Sequence, residues 1–401
     1  MKSAVVSLVA IVVVSIGCED AGSPASVAGP AAPRPLEDAG VVVPVPAADG
    51  GAEDATPYPV PDWATEAPEA QGLDSSKLEA ANDIAAADGS YCLLVIRHGV
   101  LVSERYWNGS TAASANPSWS IAKSYASTLV GIAIDRGDLE SLDESAADFV
   151  PEWKGTEREA ITLRNLVSMT SGLKWSAFED YVELATIAQD QTTFAVTQPL
   201  ADPPGSKWTY DNGGVQILER VFRSATGGTI EQYAEAHLWS KIGAHATWGH
   251  DPSGNSTAYA NVLTTCRDHA RLGYLFLHGG QWAGTSVVSP GYVKTAITPS
   301  QNINRAYGLL WWLNGEAPAE DAMMQKWIGR MVPFAPTDLF AARGFGNQFI
   351  DVIPSLDLVV VRFGRDPKDP SAPFDPVALA VDSRFEKHDK ILAAILEAIR
   401  E

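Results

Sequence analysis

Hydrophobic and polar positions in the first part of the chain predict two helices and a hairpin. Residues 74–87 have the apolar spacing of a helix. Two β-rich runs, 91–97 and 100–107, are separated by a His-Gly turn and predict antiparallel strands. The run 121–135 is apolar almost throughout, so it predicts a buried helix, and Gly137 marks its end.

The rest of the chain predicts an α-rich stretch followed by strands. From Asp138 to about His278, helical segments are broken by Pro and Gly without an evident strand pair. Strand patterns then appear at 306–313, 338–343, 348–353 and 358–363, and an amphipathic helix closes the chain at 383–400. This order predicts an α/β (α+β) domain over 71–401, in which both ends build one antiparallel sheet. An all-α lobe, about 138–280, would leave a cleft beside the sheet.

The N-terminus has the pattern of an export signal. Lys2 precedes an apolar stretch, 4–17, that is too short to span a bilayer but suits a signal peptide over 1–18. Gly17 immediately before Cys18 resembles the lipobox of bacterial lipoproteins, although Ser15 departs from the usual leucine or valine. We therefore expect an exported, periplasmic or cell-envelope lipoprotein attached to the membrane through Cys18. Ordinary signal cleavage is the alternative.

Residues 19–70 have the composition of a linker. They hold ten of the 26 prolines and no lysine, and they carry ten acidic residues against the single Arg34. Such a segment buries too little apolar surface to offset chain entropy, so we predict an extended, disordered linker. It accounts for nearly half of the formal net charge of −20. The domain itself is moderately acidic, which argues against nucleic acid as a partner.

Cys92 and Cys266 are the cysteines that follow Cys18. Their separation fits no metal-ligand spacing, so we predict neither a metal site nor a cofactor. In an oxidising compartment they can form one disulfide, but both lie in apolar sequence where a buried free thiol is equally common. The sequence leaves the two states open.

A candidate nucleophile opens the buried helix in the sequence Ser120-Ile-Ala-Lys123. Residues three apart share a helix face, and a lysine in a dry site can lose its proton and serve as the base for a serine. The S-x-x-K pattern also occurs at Ser171-Gly-Leu-Lys174, where the glycine indicates a helix end. Ser120 is favoured because free N–H groups at a helix start stabilise negative charge. The alternative is a serine N-cap with a surface lysine.

Two further patterns suit the same chemistry. Tyr210-Asp-Asn212 lies on a tight turn before a helix, so the phenol can shuttle a proton and the amide can hold Lys123 or a substrate carbonyl. A neighbouring lysine charge would favour the phenolate. Gly344 and Phe345 lie between two strand patterns, where an edge N–H and the Ser120 N–H would form an oxyanion hole worth roughly 10²–10³ in rate. The alternatives are a core tyrosine and a plain β-turn.

These motifs, in this order, resemble the penicillin-recognising serine hydrolases: class C β-lactamases, D-alanyl-D-alanine carboxypeptidases, related esterases and 6-aminohexanoate-dimer hydrolases. Stretches 161–173, which ends in Thr-Ser-Gly-Leu, and 264–273 support the resemblance, which covers about 70–400. It implies an α/β sandwich with an all-α lobe. It also implies a role for each site residue. Ser120 would be the nucleophile, Lys123 its base partner and Tyr210 the proton shuttle. Asn212 would supply an orienting amide, and Phe345 an oxyanion N–H.

The chain departs from that family at the substrate-binding strand. Where β-lactamases and carboxypeptidases have Lys-Thr-Gly or His-Thr-Gly, this chain has Ala342-Arg343-Gly344. Arg343 can replace the missing charge only if the strand presents it to the cleft, and the two-residue alternation leaves its direction open. Residues 344–348 look more like the 6-aminohexanoate-dimer hydrolase branch, although Asn347 interrupts the Gly-Gln pair. We therefore expect a small-molecule amide or ester substrate, with carboxypeptidase or β-lactamase activity as the alternative.

Two other functions compete with this hypothesis. A Ser-His-Asp hydrolase has little support, because no G-x-S-x-G occurs and none of the seven histidines has a recognisable catalytic context. An inactive cell-envelope binding module stays open, because a fold can lose activity and keep its cleft.

The missing Lys-Thr-Gly generates the first prediction. We expect fast cleavage of a nitrophenyl ester without turnover of nitrocefin, because the group that holds a β-lactam carboxylate is replaced. Parallel assays with both reagents and a D-Ala-D-Ala peptide measure this. Nitrocefin hydrolysis at a rate comparable to that of the ester would overturn it.

Overall fold

A computed structural model describes residues 57–320, 326–327, 329–364 and 386–400. The predicted signal peptide, Cys18 and the linker up to residue 56 lie outside these residues. The predicted linker extends too far, because its last part packs on the domain. Trp63 is buried, and the Tyr274 hydroxyl donates to the Pro57 carbonyl oxygen at 2.9 Å. The buried indole and this hydrogen bond both attach the segment to the domain.

One antiparallel sheet of six strands organises the fold. The strands of the described residues are β1 Ser90–Arg97, β2 Val100–Tyr106, β3 Asn116–Pro117, β4 Thr247–Trp248, β5 Val262–Thr264, β6 Gln281–Trp282, β7 Thr285–Ser286, β8 Trp312–Leu313, β9 Ala319–Glu320, β10 Lys326–Trp327, β11 Phe340–Gly344, β12 Gln348–Ile353 and β13 Leu358–Gly364. The order in the six-stranded sheet is β2-β1-β13-β12-β11-β8. β1 pairs with both β2 and β13, which joins the two ends of the domain as predicted.

Helices cover both faces of this sheet. The α-helices of the described residues are α1 Ser75–Ala87, α2 Ala122–Arg136, α3 Leu163–Val167, α4 Gln191–Thr197, α5 Asn212–Thr226, α6 Ile230–Ala234, α7 Ser240–Ile242, α8 Cys266–Leu277, α9 Pro290–Ala296 and α10 Glu386–Ala398. On one face of the sheet, Gly273 of α8 lies against Ile350 and Val359. On the other, the Phe349 ring contacts the imidazole of His388 in α10. No helix in the described part of the chain is long and apolar enough to cross a membrane.

The structure confirms the predicted fold class and differs from the pattern in three places. The strand predicted at 306–313 is wrong except for β8, because Leu310 has a φ of 58° and the chain turns there. The α-rich stretch also contains β4 and β5, which pair with β3 in a small sheet. Its last helix, α8, packs on the main sheet. Two-residue and three-residue strands are too short for alternation to reveal them.

A disulfide between Cys92 and Cys266 joins β1 to α8. The two Cα atoms are 6.7 Å apart and 174 residues apart in sequence. Both cysteines are buried. The bond therefore fixes the first strand of the domain to the helix that covers the sheet. Of the two states that the sequence left open, a disulfide and buried free thiols, the structure shows the disulfide.

We expect the double variant Cys92→Ala/Cys266→Ala to lose about 2–4 kcal/mol of unfolding free energy, because the bond closes a long loop in the unfolded chain. Urea denaturation of both proteins, with and without a thiol reductant, measures the loss. The reductant should destabilise only the wild type. An unchanged wild-type midpoint in reductant would contradict the crosslink.

Candidate active site

Ser120 lies in a strained turn at the start of α2. The 3₁₀ turn Trp119–Ile121 leads directly into the helix, and Trp119 has a φ of 47°. A bulky residue in the left-handed region costs about 1–3 kcal/mol and persists only where its surroundings hold it. Hydrogen bonds to β5 supply that support, since the Ser118 N–H donates to the Val262 carbonyl and the Val262 N–H donates to Ser118 Oγ, both at 2.8 Å.

The amine of Lys123 contacts this serine from inside the protein. Its Nζ lies 2.9 Å from Ser120 Oγ and donates to the Tyr259 carbonyl oxygen, also at 2.9 Å. The side chain is 1% exposed. Burial penalises the charged amine and lowers the pKa of Lys123 to about 7. A large fraction of this lysine is therefore neutral near pH 7 and able to accept the serine proton.

The second S-x-x-K match has no such geometry. Ser171 is buried and its hydroxyl lies 3.4 Å from an Asp211 carboxyl oxygen. The Lys174 amine is exposed and forms a salt bridge with Glu179 at 2.6 Å. The motif lies in the loop after α3, which already ends at Val167, so the two side chains do not share a helix face.

Tyr210 lies beside the Ser120–Lys123 pair. Lys123 Nζ is 4.8 Å from the centroid of the phenol ring, and Trp312 stacks on the same ring at 5.8 Å. Burial raises the pKa of Tyr210 well above its usual value, and a hydrogen bond with Ser120 lowers it to a smaller extent. The phenolate expected from the sequence is therefore disfavoured near neutral pH. Tyr210 is placed to donate a proton rather than to remove one.

Asn212 is held by a residue that the sequence analysis missed. Its Nδ2 donates to a carboxyl oxygen of Asp180 at 2.8 Å, and its backbone N–H donates to the other oxygen at 3.0 Å. Among the described residues, no hydrogen bond joins Asn212 to Lys123. Burial raises the pKa of Asp180 to about 8 and that of Asp211 to about 6. No motif signalled Asp180.

The end of β11 lies against the turn Trp119–Ile121, which we call the nucleophile turn because it contains the candidate nucleophile Ser120. A Cβ added to Gly344 would come within 2.5 Å of the Ser118 carbonyl oxygen and 3.4 Å of Trp119 Cβ. The rings of Phe345 and Trp119 are 5.4 Å apart. The glycine thus permits the close approach of strand and turn that an oxyanion hole made from the Ser120 and Phe345 N–H groups requires.

The structure places Arg343 away from this site. Gly344 faces the nucleophile turn, so the neighbouring side chain points to the opposite face of the sheet. There the Arg343 guanidinium lies 3.3 Å from His388 Nε2 and 4.0 Å from an Asp351 carboxyl oxygen. Arg343 therefore does not meet the condition for replacing the cation of Lys-Thr-Gly, and its place among the expected substrate-binding residues is wrong.

The tryptophan side chains near the motifs differ in solvent exposure. Trp208, Trp311 and Trp312 are buried, whereas Trp119 and Trp175 are half-buried. The buried three pack in the core, where Trp312 also stacks on the Tyr210 ring, and Trp119 directly precedes Ser120. Within the described ranges, no group of three or more His, Cys, Asp and Glu side chains is placed to hold a metal ion.

Comparison with known proteins assigns the family. The model of the family described as Beta-lactamase matches residues 80–381. The chain belongs to the beta-lactamase family. Members are hydrolytic serine enzymes, in which the S-x-x-K serine is the nucleophile. The match spans the sheet strands and the nucleophile turn, so it includes Ser120, Lys123 and Tyr210.

Individual relatives agree with this family assignment. A 6-aminohexanoate-dimer hydrolase from Paenarthrobacter ureafaciens is 27% identical over 222 residues, which are 51% of this chain and 56% of that protein. The chain thus spans about half the length of this curated relative. A penicillin-binding protein homologue from Caulobacter crescentus has a TM-score of 0.58 at 15% identity, covering 80% of this chain and 99% of that one. A family VIII carboxylesterase has the same TM-score at 16% identity, with 82% and 99% covered. The two structures support the fold.

The Lys123 pKa generates a pH prediction. Because only the neutral amine can accept the Ser120 proton, the acylation rate should rise with pH through a midpoint near 7 and then level off. Lys123→Arg, which stays charged, should lower the rate by about 10²–10⁴. Stopped-flow measurement of nitrophenol release against pH tests both. A rising limb centred near pH 10 would contradict a desolvated base.

The close approach of Gly344 generates a second prediction. Gly344→Ala should lower kcat/KM by about 10²-fold, because the new methyl group pushes the strand end away from the nucleophile turn. Gly291→Ala in α9 is the matched control, since a Cβ there meets nothing within 4 Å. Ester-hydrolysis kinetics of the two variants measure the effect on the site, and their melting temperatures show whether both variants fold. Unchanged kinetics in Gly344→Ala would show that β11 takes no part in the site.

Proposed function

We propose that this protein hydrolyses an amide or ester bond through an acyl-enzyme on Ser120. One observation carries the proposal: the buried amine of Lys123 lies 2.9 Å from the Ser120 hydroxyl oxygen, in a site that lowers the lysine pKa to about 7. Such a pair activates a weak alcohol nucleophile without a histidine. The phenol of Tyr210 lies beside it and completes the proton pathway.

The acylation step follows from this geometry. The neutral Lys123 amine takes the Ser120 proton while Oγ attacks the substrate carbonyl carbon. The N–H groups of Ser120 and Phe345 then hold the negative oxygen of the tetrahedral intermediate. As the intermediate collapses, the bond to the leaving group breaks, and Tyr210 donates a proton to that group and regains one from Lys123. The acyl group stays on Ser120 Oγ.

Deacylation reverses the proton movements. A water molecule attacks the acyl carbonyl and loses its proton to the same Lys123–Tyr210 pair. Collapse of the second intermediate breaks the bond to Ser120 Oγ, which recovers its proton, and the carboxylic acid product leaves. The sum is one water consumed for each amide or ester bond cleaved.

The site fits a substrate without a carboxylate next to the scissile bond. Arg343 faces Asp351 and His388 on the other side of the sheet, so it supplies no cation to the cleft. Turnover of β-lactams or D-Ala-D-Ala peptides is therefore the second candidate. The relative named as a 6-aminohexanoate-dimer hydrolase favours an amide, and the carboxylesterase neighbour favours an ester.

We also propose an exported location for the enzyme. The support lies in the sequence, where the apolar stretch 4–17 precedes Cys18 and a long acidic linker. In this arrangement the lipidated cysteine anchors the chain, and the domain acts on small molecules near the membrane surface.

Labelling with a fluorophosphonate tests the enzyme against the inactive binding module. Wild type should become covalently labelled on Ser120, because this reagent reports an activated serine. Ser120→Ala should lose the label and all ester hydrolysis, whereas Ser171→Ala should keep a label on Ser120. Peptide mass spectrometry locates the adduct. Absence of label on correctly folded wild type would support the binding module instead.

A further inference from the structure

His269 is a buried histidine of α8 for which the sequence analysis expected no role in the site. It lies in the stretch 264–273, and its side chain is fully enclosed. Burial lowers the pKa of His269 to about 3, so the imidazole is neutral near pH 7. A neutral imidazole has one N–H donor and one acceptor nitrogen. Its two nitrogens therefore suit two different partners.

Each ring nitrogen of His269 contacts a segment on a different side of Ser120. Nε2 lies 3.3 Å from the Asn116 carbonyl oxygen in β3, and Nδ1 lies 3.1 Å from the Tyr125 hydroxyl in α2. A carbonyl oxygen only accepts, so Nε2 carries the proton and donates, whereas Nδ1 accepts from the hydroxyl. Both partners are buried. The imidazole thus bridges the strand that enters the nucleophile turn and the helix that leaves it.

The bridge is attached to the main sheet. The imidazole stacks on the Phe363 ring of β13, with centroids 4.2 Å apart and an interplanar angle of 16°. The Cys92–Cys266 bond joins α8 to β1 as well. A second contact from α8 holds the entering strand, because Asn116 Nδ2 donates to Cys266 Sγ at 3.4 Å. The segments on both sides of the nucleophile turn are therefore held against one fixed support.

The nucleophile turn needs such support because its backbone is strained. Trp119 has a φ of 47°, which a bulky residue keeps only where its surroundings hold it. The hydrogen bonds between Ser118 and β5 hold the start of the turn. Tyr125 lies beyond the turn, on the helix that carries Lys123. A bridge that includes this helix resists movement of Ser120 Oγ away from the lysine amine.

We propose that His269 is a positioning residue, which holds the nucleophile turn between β3 and α2 and so keeps Ser120 Oγ within reach of the Lys123 amine. The catalytic meaning of this role rests on the proposed function. His269 acts through Asn116 and Tyr125, by two hydrogen bonds of fixed direction. A side chain that merely filled space behind the turn would be replaced by leucine without loss of rate.

The variant His269→Leu keeps an apolar side chain and removes both hydrogen bonds. The maximal rate of fluorophosphonate labelling should fall about tenfold with the half-saturating concentration unchanged, because the bridge affects the geometry of attack and not reagent binding. His269→Gln should recover most of the rate, since its amide has a donor and an acceptor. Tyr125→Phe should give a smaller loss, and adding it to His269→Leu should slow labelling no further.

The matched control is Tyr292→Phe. The Tyr292 hydroxyl donates to the Ser127 carbonyl oxygen at 2.7 Å, so this variant also removes a buried hydrogen bond to α2, but farther along the helix. It should melt at a lower temperature and still be labelled at the wild-type rate. Melting temperatures of all the variants separate a loss of stability from a loss of rate.

Hydrogen exchange keeps the two proposals distinguishable. If wild type fails to react with the fluorophosphonate, the proposed function fails, yet the amide protons around the nucleophile turn still report the bridge. The Ser118 N–H donates to the Val262 carbonyl oxygen, and the Ile121 N–H donates to that of Ser118. Both amides should exchange faster in His269→Leu than in wild type or Tyr292→Phe.

Nitrogen-15 NMR of labelled histidine tests the bridge in the wild type, where the His269 ring should carry its proton on Nε2 at neutral pH. A proton on Nδ1 would overturn the proposal, because the Asn116 carbonyl would then lack its donor. So would unchanged exchange of the turn amides in His269→Leu. Equal labelling rates in His269→Leu and folded His269→Gln, or in His269→Leu and Tyr292→Phe, would contradict it as well.

Discussion

The burial of one amine against one hydroxyl is the constraint on which the rest of the site depends. Lys123 is almost fully enclosed, and its Nζ contacts Ser120 Oγ and the Tyr259 carbonyl oxygen. Exclusion of water lowers the pKa of this amine to about 7, so the neutral form that could act as a base is populated near neutral pH. An exposed lysine at the same spacing, such as Lys174, keeps its charge in a surface salt bridge.

The architecture maintains this dry contact from several sides. The helix α2 is buried along most of its length, and its first turn is tied to β5 through Ser118. The end of β11 closes against the same turn at Gly344, and the Cys92–Cys266 bond fixes the sheet to α8. Trp119 adopts a strained left-handed backbone conformation, and this conformation places Ser120 at the junction. Acid groups that are themselves buried then limit how far the lysine pKa falls.

Local patterns predicted most of the elements and brought forward Ser120 and Lys123 of the candidate site. The hairpin of β1 and β2, the buried α2 and the strands β11 to β13 each have a periodicity or turn residue that short stretches of sequence reveal. A spacing of three residues predicts that Ser120 and Lys123 share a helix face, and they meet where the 3₁₀ turn leads into α2. The family assignment and the fold class followed from the order of such motifs.

The features that the sequence did not predict depend on contacts between distant segments. Asp180 reaches Asn212 across 32 residues, and the Tyr259 carbonyl oxygen is a backbone group without any residue signature. The direction of Arg343 followed only from the register of β11, because alternation along a strand does not say which face is which. Burial also reversed the expectation for Tyr210, since desolvation raises its pKa by more than the hydrogen bond with Ser120 lowers it. These contacts, the direction of Arg343 and the raised Tyr210 pKa all depend on how distant segments pack together in the folded protein.

The pKa of the Lys123 amine in the resting wild-type protein tests the central claim most directly. Carbon-13 NMR of labelled lysine, with Lys123→Arg to assign the signal, follows one amine through its titration. The account predicts a midpoint near 7. A midpoint close to the ordinary lysine value of about 10.4 would show a charged lysine that cannot serve Ser120 as a base.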